Sequence, residues 1–370
     1  MSSKPAVRPA AFELARSDVR SLPLYAPDVA DCAIDLSDNT NLWGLSPAAR
    51  RALRETSPAA VARYPSLYSV PLREALLRYT GLGDATSAGV VTGCGSDDVI
   101  DATMRAFGGA GRRIAFSVPT FSMIPTFAQL NGLEPLSIPL TATYDVDAER
   151  LVACDADITY LCTPNNPTAT ALSRAAVEYV VANARGVVLL DEAYAEFAPE
   201  TFVDLARRYD RLLVTRTFSK AFGLAGLRVG YGVGNAELTG LVERARGPYK
   251  VNTMAERAVF ASLEETDDAL GWVRTYAALA VEHRERLVTC LRALALEPLP
   301  SAANFVFVPT PRAALLAQRL RERGVLVRAF AGLPRDLPAL AASNGEALRI
   351  GVGPWEPMQA MLDALALVMG

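Results

Sequence analysis

The sequence holds a single histidine, His283, and that scarcity excludes much. A histidine-rich metal site is ruled out by count. A Ser-His-Asp or Cys-His machine would have to use this one ring. Val281-Glu-His-Arg-Glu-Arg286 offers it neither a nucleophile nor an orienting acid. The segment reads as a charged helical face with the ring in water. Cysteine is sparse too. Cys32, Cys94, Cys154, Cys162 and Cys290 are scattered, odd in number and without a Cys-x-x-Cys pair. That argues against a zinc site and for a reducing compartment, so no metal ligands are assigned. The net charge is -3 and no long basic run occurs, which leaves no electrostatic footprint for nucleic acid. No apolar stretch is long enough to span a bilayer. Met1-Ser-Ser-Lys-Pro5 leads into Arg8, Glu13, Arg16 and Asp18 without the apolar segment of a secretory signal. The expectation is a cytoplasmic protein that meets neither membrane nor nucleic acid.

What is present suits a globular chain with a substantial core. Of 370 residues, 51% are hydrophobic and 21% charged, enough for one large or two moderate domains. Residues 1–45 form an arm with several prolines (Pro5, Pro9, Pro23, Pro27), ending in the polar run Leu36-Ser-Asp-Asn-Thr-Asn-Leu-Trp-Gly44. Ser46-Pro47 starts a helix, and Pro71 to Tyr79 is a second. Strands and helical patterns then alternate. Val90-Val-Thr92, Arg113–Val118, Glu134–Pro139, Ile158–Cys162, Gly186–Leu190 and Leu212–Val214 read as strands. Between them lie helical stretches at Val99–Phe107, from Pro119 and at Ala171–Ala184. This predicts an α/β fold with a mostly parallel sheet flanked by helices over residues 46–247. In such sheets chemistry gathers at the carboxyl ends of the strands, and each polar cluster described below follows a strand. From about Gly247-Pro248 the pattern changes. Met254–Cys290 has long helical periodicity. Asn304–Val308, Gly324–Phe330 and Ala347–Gly351 look like strands, and a last helix runs from Glu356 to Met369. Residues 248–370 therefore read as a smaller α+β domain, packing with the arm.

The chain centres on Arg216-Thr-Phe-Ser-Lys-Ala-Phe-Gly-Leu-Ala-Gly-Leu-Arg-Val-Gly-Tyr231. Lys220 leaves a buried strand and faces a small, apolar wall. A desolvated lysine has a lowered pKa, and its neutral amine can form a Schiff base with a carbonyl. Ser219 and Arg228 supply a hydroxyl and a fixed positive charge, the groups a phosphate needs. A lysine for an aldehyde beside groups for a phosphate suggests pyridoxal phosphate.

The other requirements of that cofactor have candidates in chain order. Gly93-Cys-Gly-Ser-Asp-Asp98 joins a strand to a helix, so Ser96, Asp97 and the backbone N–H groups after Gly95 can cup the phosphate. Phe121, after Pro119-Thr120, can lie on the ring face. Asn165, in Thr163-Pro-Asn-Asn-Pro-Thr168, and Tyr194 can donate to the ring oxygen. Asp191, ending an apolar strand, can hold the pyridine nitrogen protonated.

With these motifs in place the chain resembles the fold-type I pyridoxal-phosphate-dependent aminotransferases, and within them the histidinol-phosphate aminotransferase group. Ala303-Asn-Phe305 and Leu348-Arg-Ile350 add to the match, which spans about 30 to 352. The resemblance implies an aspartate-aminotransferase-like fold and pyridoxal 5'-phosphate as cofactor. It implies transfer of an amino group from a small-molecule donor to a 2-oxo acid. It also implies a homodimer with active sites at the subunit interface. Lys220, Asp191 and Tyr194 would be catalytic. Tyr64, in Arg63-Tyr-Pro65, would reach the phosphate of the partner's cofactor. Arg349, Arg328, Asn304 and Trp43 would meet substrate, with Arg349 on the α-carboxylate and Arg328 placed for a substrate phosphate.

One stretch departs from the family. Its usual Asn-Glu-Asn-Pro-Tyr-Gly run reads Asn39-Thr-Asn-Leu-Trp-Gly44 here. Leu42 and Trp43 make the mouth more apolar, which favours an α-amino acid with a flat or aliphatic side chain over histidinol phosphate. Two alternatives stay open on sequence alone: a decarboxylase, oxidase or cyclising enzyme using the same cofactor, and a binding protein that keeps the fold.

Overall fold

The computed structural model describes residues 11–24 and 30–369. The first residues of the arm, with Pro5 and Pro9, and Pro27 lie outside these. Seven strands form the central sheet: β2 (Ala88–Gly93), β3 (Arg112–Val118), β4 (Leu133–Pro139), β5 (Ile158–Cys162), β6 (Val187–Asp191), β7 (Leu212–Thr217) and β8 (Gly230–Asn235). A preceding pair of residues, β1 (Ile34–Asp35), belongs elsewhere. The order across the sheet is β2-β8-β7-β6-β5-β3-β4. Every pairing is parallel except those of β8, which runs against both β2 and β7. Six strands thus end at one edge, and β8 begins there.

Side chains alternate across this sheet. Val188 and Leu190 pack into one core cluster, Val187 and Leu189 into the other. β5 and β6 are buried along their whole length, as strands covered on both faces must be. Gly-Tyr-Gly-Val-Gly-Asn makes β8 weak in strand propensity, so composition hides it. Its glycines are required by close approach. A Cβ on Gly230 would lie 2.3 Å from the Ser96 nitrogen.

Three further strands, β9 (Phe305–Pro309), β11 (Arg328–Phe330) and β12 (Ala347–Gly351), form an antiparallel sheet in the order β11-β12-β9. The arm joins this part. β1 pairs with β10 (Val325–Leu326), and Leu36 bonds through its N–H to Leu326 and through its carbonyl to Gly351. No helix of the described residues is long and apolar enough to cross a membrane.

Several expectations need correction. The helix expected from Pro119 begins at Met123. Residues 119–121 are held instead in a loop by Asn165, whose Nδ2 donates to the Pro119 carbonyl at 2.9 Å. The helix expected from Ala171 begins at Arg174, where the Ser173 hydroxyl accepts from Ala176 N–H. The helical run from Met254 is two helices, Thr253–Ser262 and Leu270–Ala293. Between them the Thr266 carbonyl accepts from Ala269 and Gly271, and its hydroxyl bonds Asp268, an irregular turn that stops the first helix. Gly324–Phe330 is not one strand but two, in different sheets. His283 is half-buried rather than free in water. Its Nδ1 bonds the Gly353 carbonyl at 2.8 Å, with Trp43 and Trp355 beside it.

Candidate active site

The shared strand edge gathers the residues named from the motifs. Gly95 carries φ +83 and precedes the helix Ser96–Phe107, whose first N–H groups are free to meet an anion. Space for that anion depends on missing side chains. A Cβ on Gly95 would sit 2.8 Å from Arg228 Nη2. Arg228, in a left-handed conformation just before β8, bonds Ser219 Oγ at 3.4 Å and pairs with Asp97 at 3.5 Å. Ser219 is fixed in turn by Thr217 Oγ1, which accepts from its N–H and donates to its hydroxyl. Ser96, Asp97, Ser219 and Arg228 thus form one cup. Asp98 anchors it by accepting from Cys94 N–H and Lys250.

Two ionisable groups flank the pocket. Lys220 is half-buried, and its Nζ donates to the Asp38 carbonyl at 3.0 Å. Burial, helped by the charge of Arg349, pulls it down to about 8. Asp191 is only 4% exposed, and burial pushes its carboxyl up to about 6. Tyr160 donates to its Oδ2 at 2.9 Å, and Ala193 N–H to its Oδ1 at 3.2 Å. Tyr194 is buried, receives a bond from Asn39 Nδ2 at 3.2 Å and lies 5.8 Å by ring centroid from Lys220 Nζ. Burial pushes its hydroxyl up to about 12. Glu192, the next residue after Asp191, points to the opposite face. There it forms a buried ion pair with Arg216 at 2.7 Å and accepts from Thr201 and Phe202.

The second side of the pocket comes from the arm and the smaller sheet. Asn41 Nδ2 donates to the Ala221 carbonyl, next to Lys220. Gly223, at φ +69, lets the arm lie against the lysine loop, for a Cβ there would be 1.9 Å from the Gly44 carbonyl. Asn304 is buried and donates to the Asn39 carbonyl at 3.0 Å, a contact that ties it to the arm. Arg349 Nη1 donates to Asn166 Oδ1 at 2.7 Å, and Nη2 to the Ser37 carbonyl at 2.5 Å. Phe305 and Phe330 flank its guanidinium at 5.5 and 5.6 Å. Arg328 lies directly opposite Arg349 in the β11–β12 register.

Asn165 sits differently from expectation. Both Asn165 amide hydrogens are used inside the protein, by the Pro119 carbonyl and Thr168 Oγ1, while its Oδ1 accepts from Thr120. Asn165 therefore ties the Phe121 loop to its own. Asn166 bonds Arg349 through its oxygen, and its Nδ2 makes no hydrogen bond among the described residues. Reading the Asn-Asn pair from sequence could not separate the two. Trp43 packs against Tyr276 and His283 of the long helix, both at 5.8 Å. Tyr64 is 83% exposed and stacks on Tyr249 at 4.8 Å. Tyr160 was not singled out beforehand, because a buried strand tyrosine carries no motif.

The donor set fits pyridoxal phosphate. An anion cup, an amine whose pKa is lowered to about 8, and a buried carboxylate lie within electrostatic reach of one another at one strand edge. Comparison with known proteins agrees. Residues 32–365 match the family model described as aminotransferase class I and II. The histidinol-phosphate aminotransferase of Thermobifida fusca is 36% identical over 367 residues, 96% of this chain and 95% of that protein. The aromatic amino acid aminotransferase of Corynebacterium glutamicum is 36% identical over 355 residues, 93% of this chain and 99% of that one. The solved histidinol-phosphate aminotransferase of Sinorhizobium meliloti, in complex with pyridoxal-5'-phosphate, has the same fold. Its TM-score is 0.84 at 23% identity, over 97% of this chain and 98% of that one. The chain belongs to the class I and II aminotransferases. It is an enzyme, and its cofactor is pyridoxal 5'-phosphate.

Proposed function

We propose that the chain transfers the amino group of a phosphate-bearing amine, histidinol phosphate, to a 2-oxo acid. The observation that carries the choice of donor is the pairing of Arg328 with Arg349. Side chains directly opposite on antiparallel strands start about 5 Å apart, and like charges there repel. A dianion between them removes that repulsion. A second reading, an aromatic α-amino acid, draws on the flanking of Arg349 by Phe305 and Phe330, which leaves one guanidinium in an apolar slot suited to a carboxylate.

Bound in this site, pyridoxal phosphate supplies an electron-withdrawing ring that stabilises negative charge at the donor's α-carbon. The cup at Ser96, Asp97, Ser219 and Arg228 would hold the phosphate, and Phe121 would supply an apolar wall for the ring. Asp191 keeps the ring nitrogen protonated. Tyr194 and the free Nδ2 of Asn166 donate to the ring oxygen. Lys220 Nζ, its pKa lowered to about 8, would supply the amine that holds the aldehyde and would serve as the base for the donor's α-proton.

The assembly we propose is a homodimer with shared sites. Exposed apolar side chains at Val61, Tyr64, Tyr68, Val70 and Phe260, on and beside helices that pack together, support it. Tyr64 would reach the partner's phosphate. A cytoplasmic location is consistent with the free cysteines. Rapid mixing of the holoenzyme with single donors tests the function. Loss of the cofactor's visible colour with histidinol phosphate, at a rate well above that for phenylalanine or tyrosine, is expected. Bleaching by α-amino acids alone rejects the phosphate donor in favour of the second reading. Release of CO2 or ammonia in place of amino transfer rejects transamination.

A further inference from the structure

One buried titratable side chain beside the pocket has no part in the chemistry above. Tyr160, 1% exposed, sits in the middle of β5, and its hydroxyl donates to Asp191 Oδ2 at 2.9 Å. The register explains the contact. Cys162 lies opposite Asp191 and Tyr160 opposite Leu189, so Tyr160 is the diagonal neighbour of Asp191 on the same sheet face. Diagonal positions are about 7–8 Å apart, a gap that an aromatic side chain spans and a serine does not.

We propose that Tyr160 is a positioning residue for Asp191. Its hydroxyl fixes the rotation of the carboxylate and holds it ionised, with its remaining lone pairs turned to the ring nitrogen. This rests on the assignment of Asp191 to that nitrogen. Tyr160 is suited to donate. Burial and the nearby Asp191 charge raise its own pKa well above the usual tyrosine value, so the proton stays on its hydroxyl. Asp191 needs such a donor. Its burial and the charge of Asp97 both favour the neutral acid, while Tyr160, the Ala193 N–H and Thr215 favour the ion. The Thr215 hydroxyl is farther, at 3.4 Å from Oδ1. Cys162 and Tyr194, the other titratable groups facing this carboxyl, are pushed up by burial and stay neutral.

The test is an NMR titration of the Asp191 carboxyl carbon in the full chain freed of cofactor. In Tyr160→Phe the midpoint is expected to rise by about one pH unit or more, the effect of losing a hydrogen bond to a charged group. Thr215→Val should raise it less. Fluorotyrosine at position 160, a stronger donor on the same ring, should lower it; damage that hydrates the carboxyl would lower it too, so the rise in Tyr160→Phe is the direction that damage to the fold does not produce. In the holoenzyme Tyr160→Phe should reduce kcat about tenfold with KM changed less than about twofold. It should also shift the pH profile of the cofactor's absorbance. A midpoint unmoved by both changes at position 160 overturns the role of Tyr160. Near-normal turnover in Asp191→Asn would instead sink the assignment of Asp191, leaving the titration result intact.

Discussion

The cofactor side of the pocket and its substrate side are built in opposite ways. On the cofactor side, Ser96, Phe121, Asp191, Ser219 and Arg228 each stand within a few residues of a strand of one sheet. Strand direction alone brings them to one edge, and local hydrogen bonds such as Thr217 to Ser219 finish the placement. On the substrate side, segments remote in sequence must meet. Asn304 holds Asn39, Arg349 holds Ser37 and Asn166, and Lys220 donates to Asp38. The first kind of site is placed by contacts local to the sheet. The second depends on docking of the arm and the smaller sheet.

The largest effect should fall on the chemistry. Asp191→Asn leaves a neutral amide that cannot keep the ring nitrogen protonated. Turnover is expected to fall at least about 10²–10³-fold with the fold intact, measured by steady-state transamination and circular dichroism. Next comes the support beneath the sheet. Arg216→Met strands the buried Glu192 charge, and denaturant unfolding of the apoprotein should show a loss of about 3–5 kcal/mol. A loss below 1 kcal/mol would show that the cofactor side does not rest on this pair.

The substrate side should respond selectively. Arg349→Ala should lower kcat/KM for every donor by about 10²-fold, whereas Arg328→Ala should cost about tenfold for histidinol phosphate and little for tyrosine. Equal losses on both donors would remove Arg328 from phosphate recognition. Tyr64→Phe should weaken cofactor binding by about tenfold. Mixing it with Lys220→Ala should restore activity, because exchange leaves one site of the heterodimer without either lesion. The smallest effect is electrostatic. The folded pKa of Lys220 lies below its unfolded value, so the unfolded apoprotein binds more protons between about pH 8 and 10.5. Apoprotein stability gains from this group as pH rises through that window. Lys220→Met should abolish the gain and be more stable at pH 7. An unchanged stability profile would mean that Lys220 is well solvated.

The same contrast explains what was legible in the sequence. Strand ends followed by Gly-Cys-Gly-Ser, Asp-Glu-Ala-Tyr and Ser-Lys name the cofactor side directly, because short spacing and parallel topology do the placing. β8 was hidden by its glycines, although one of them, Gly230, admits the Ser96 loop. The substrate side was legible only as residue types. Nothing local says that Trp43 turns to the long helix, that Asn166 rather than Asn165 meets Arg349, or that His283 caps the Gly353 carbonyl. These contacts are set by how distant segments dock. Tyr160 falls between the two, since its partner follows from register, which a strand pattern does not specify.

The central claim is that Lys220 holds the cofactor at the edge where both sides meet. Borohydride reduction of the holoenzyme, followed by peptide mapping, tests it most directly. The account predicts one modified peptide per chain, containing Ser219-Lys220, with the adduct on Lys220. An adduct on another lysine, such as Lys250 beside the phosphate cup, or no adduct in a yellow, active preparation, would contradict it.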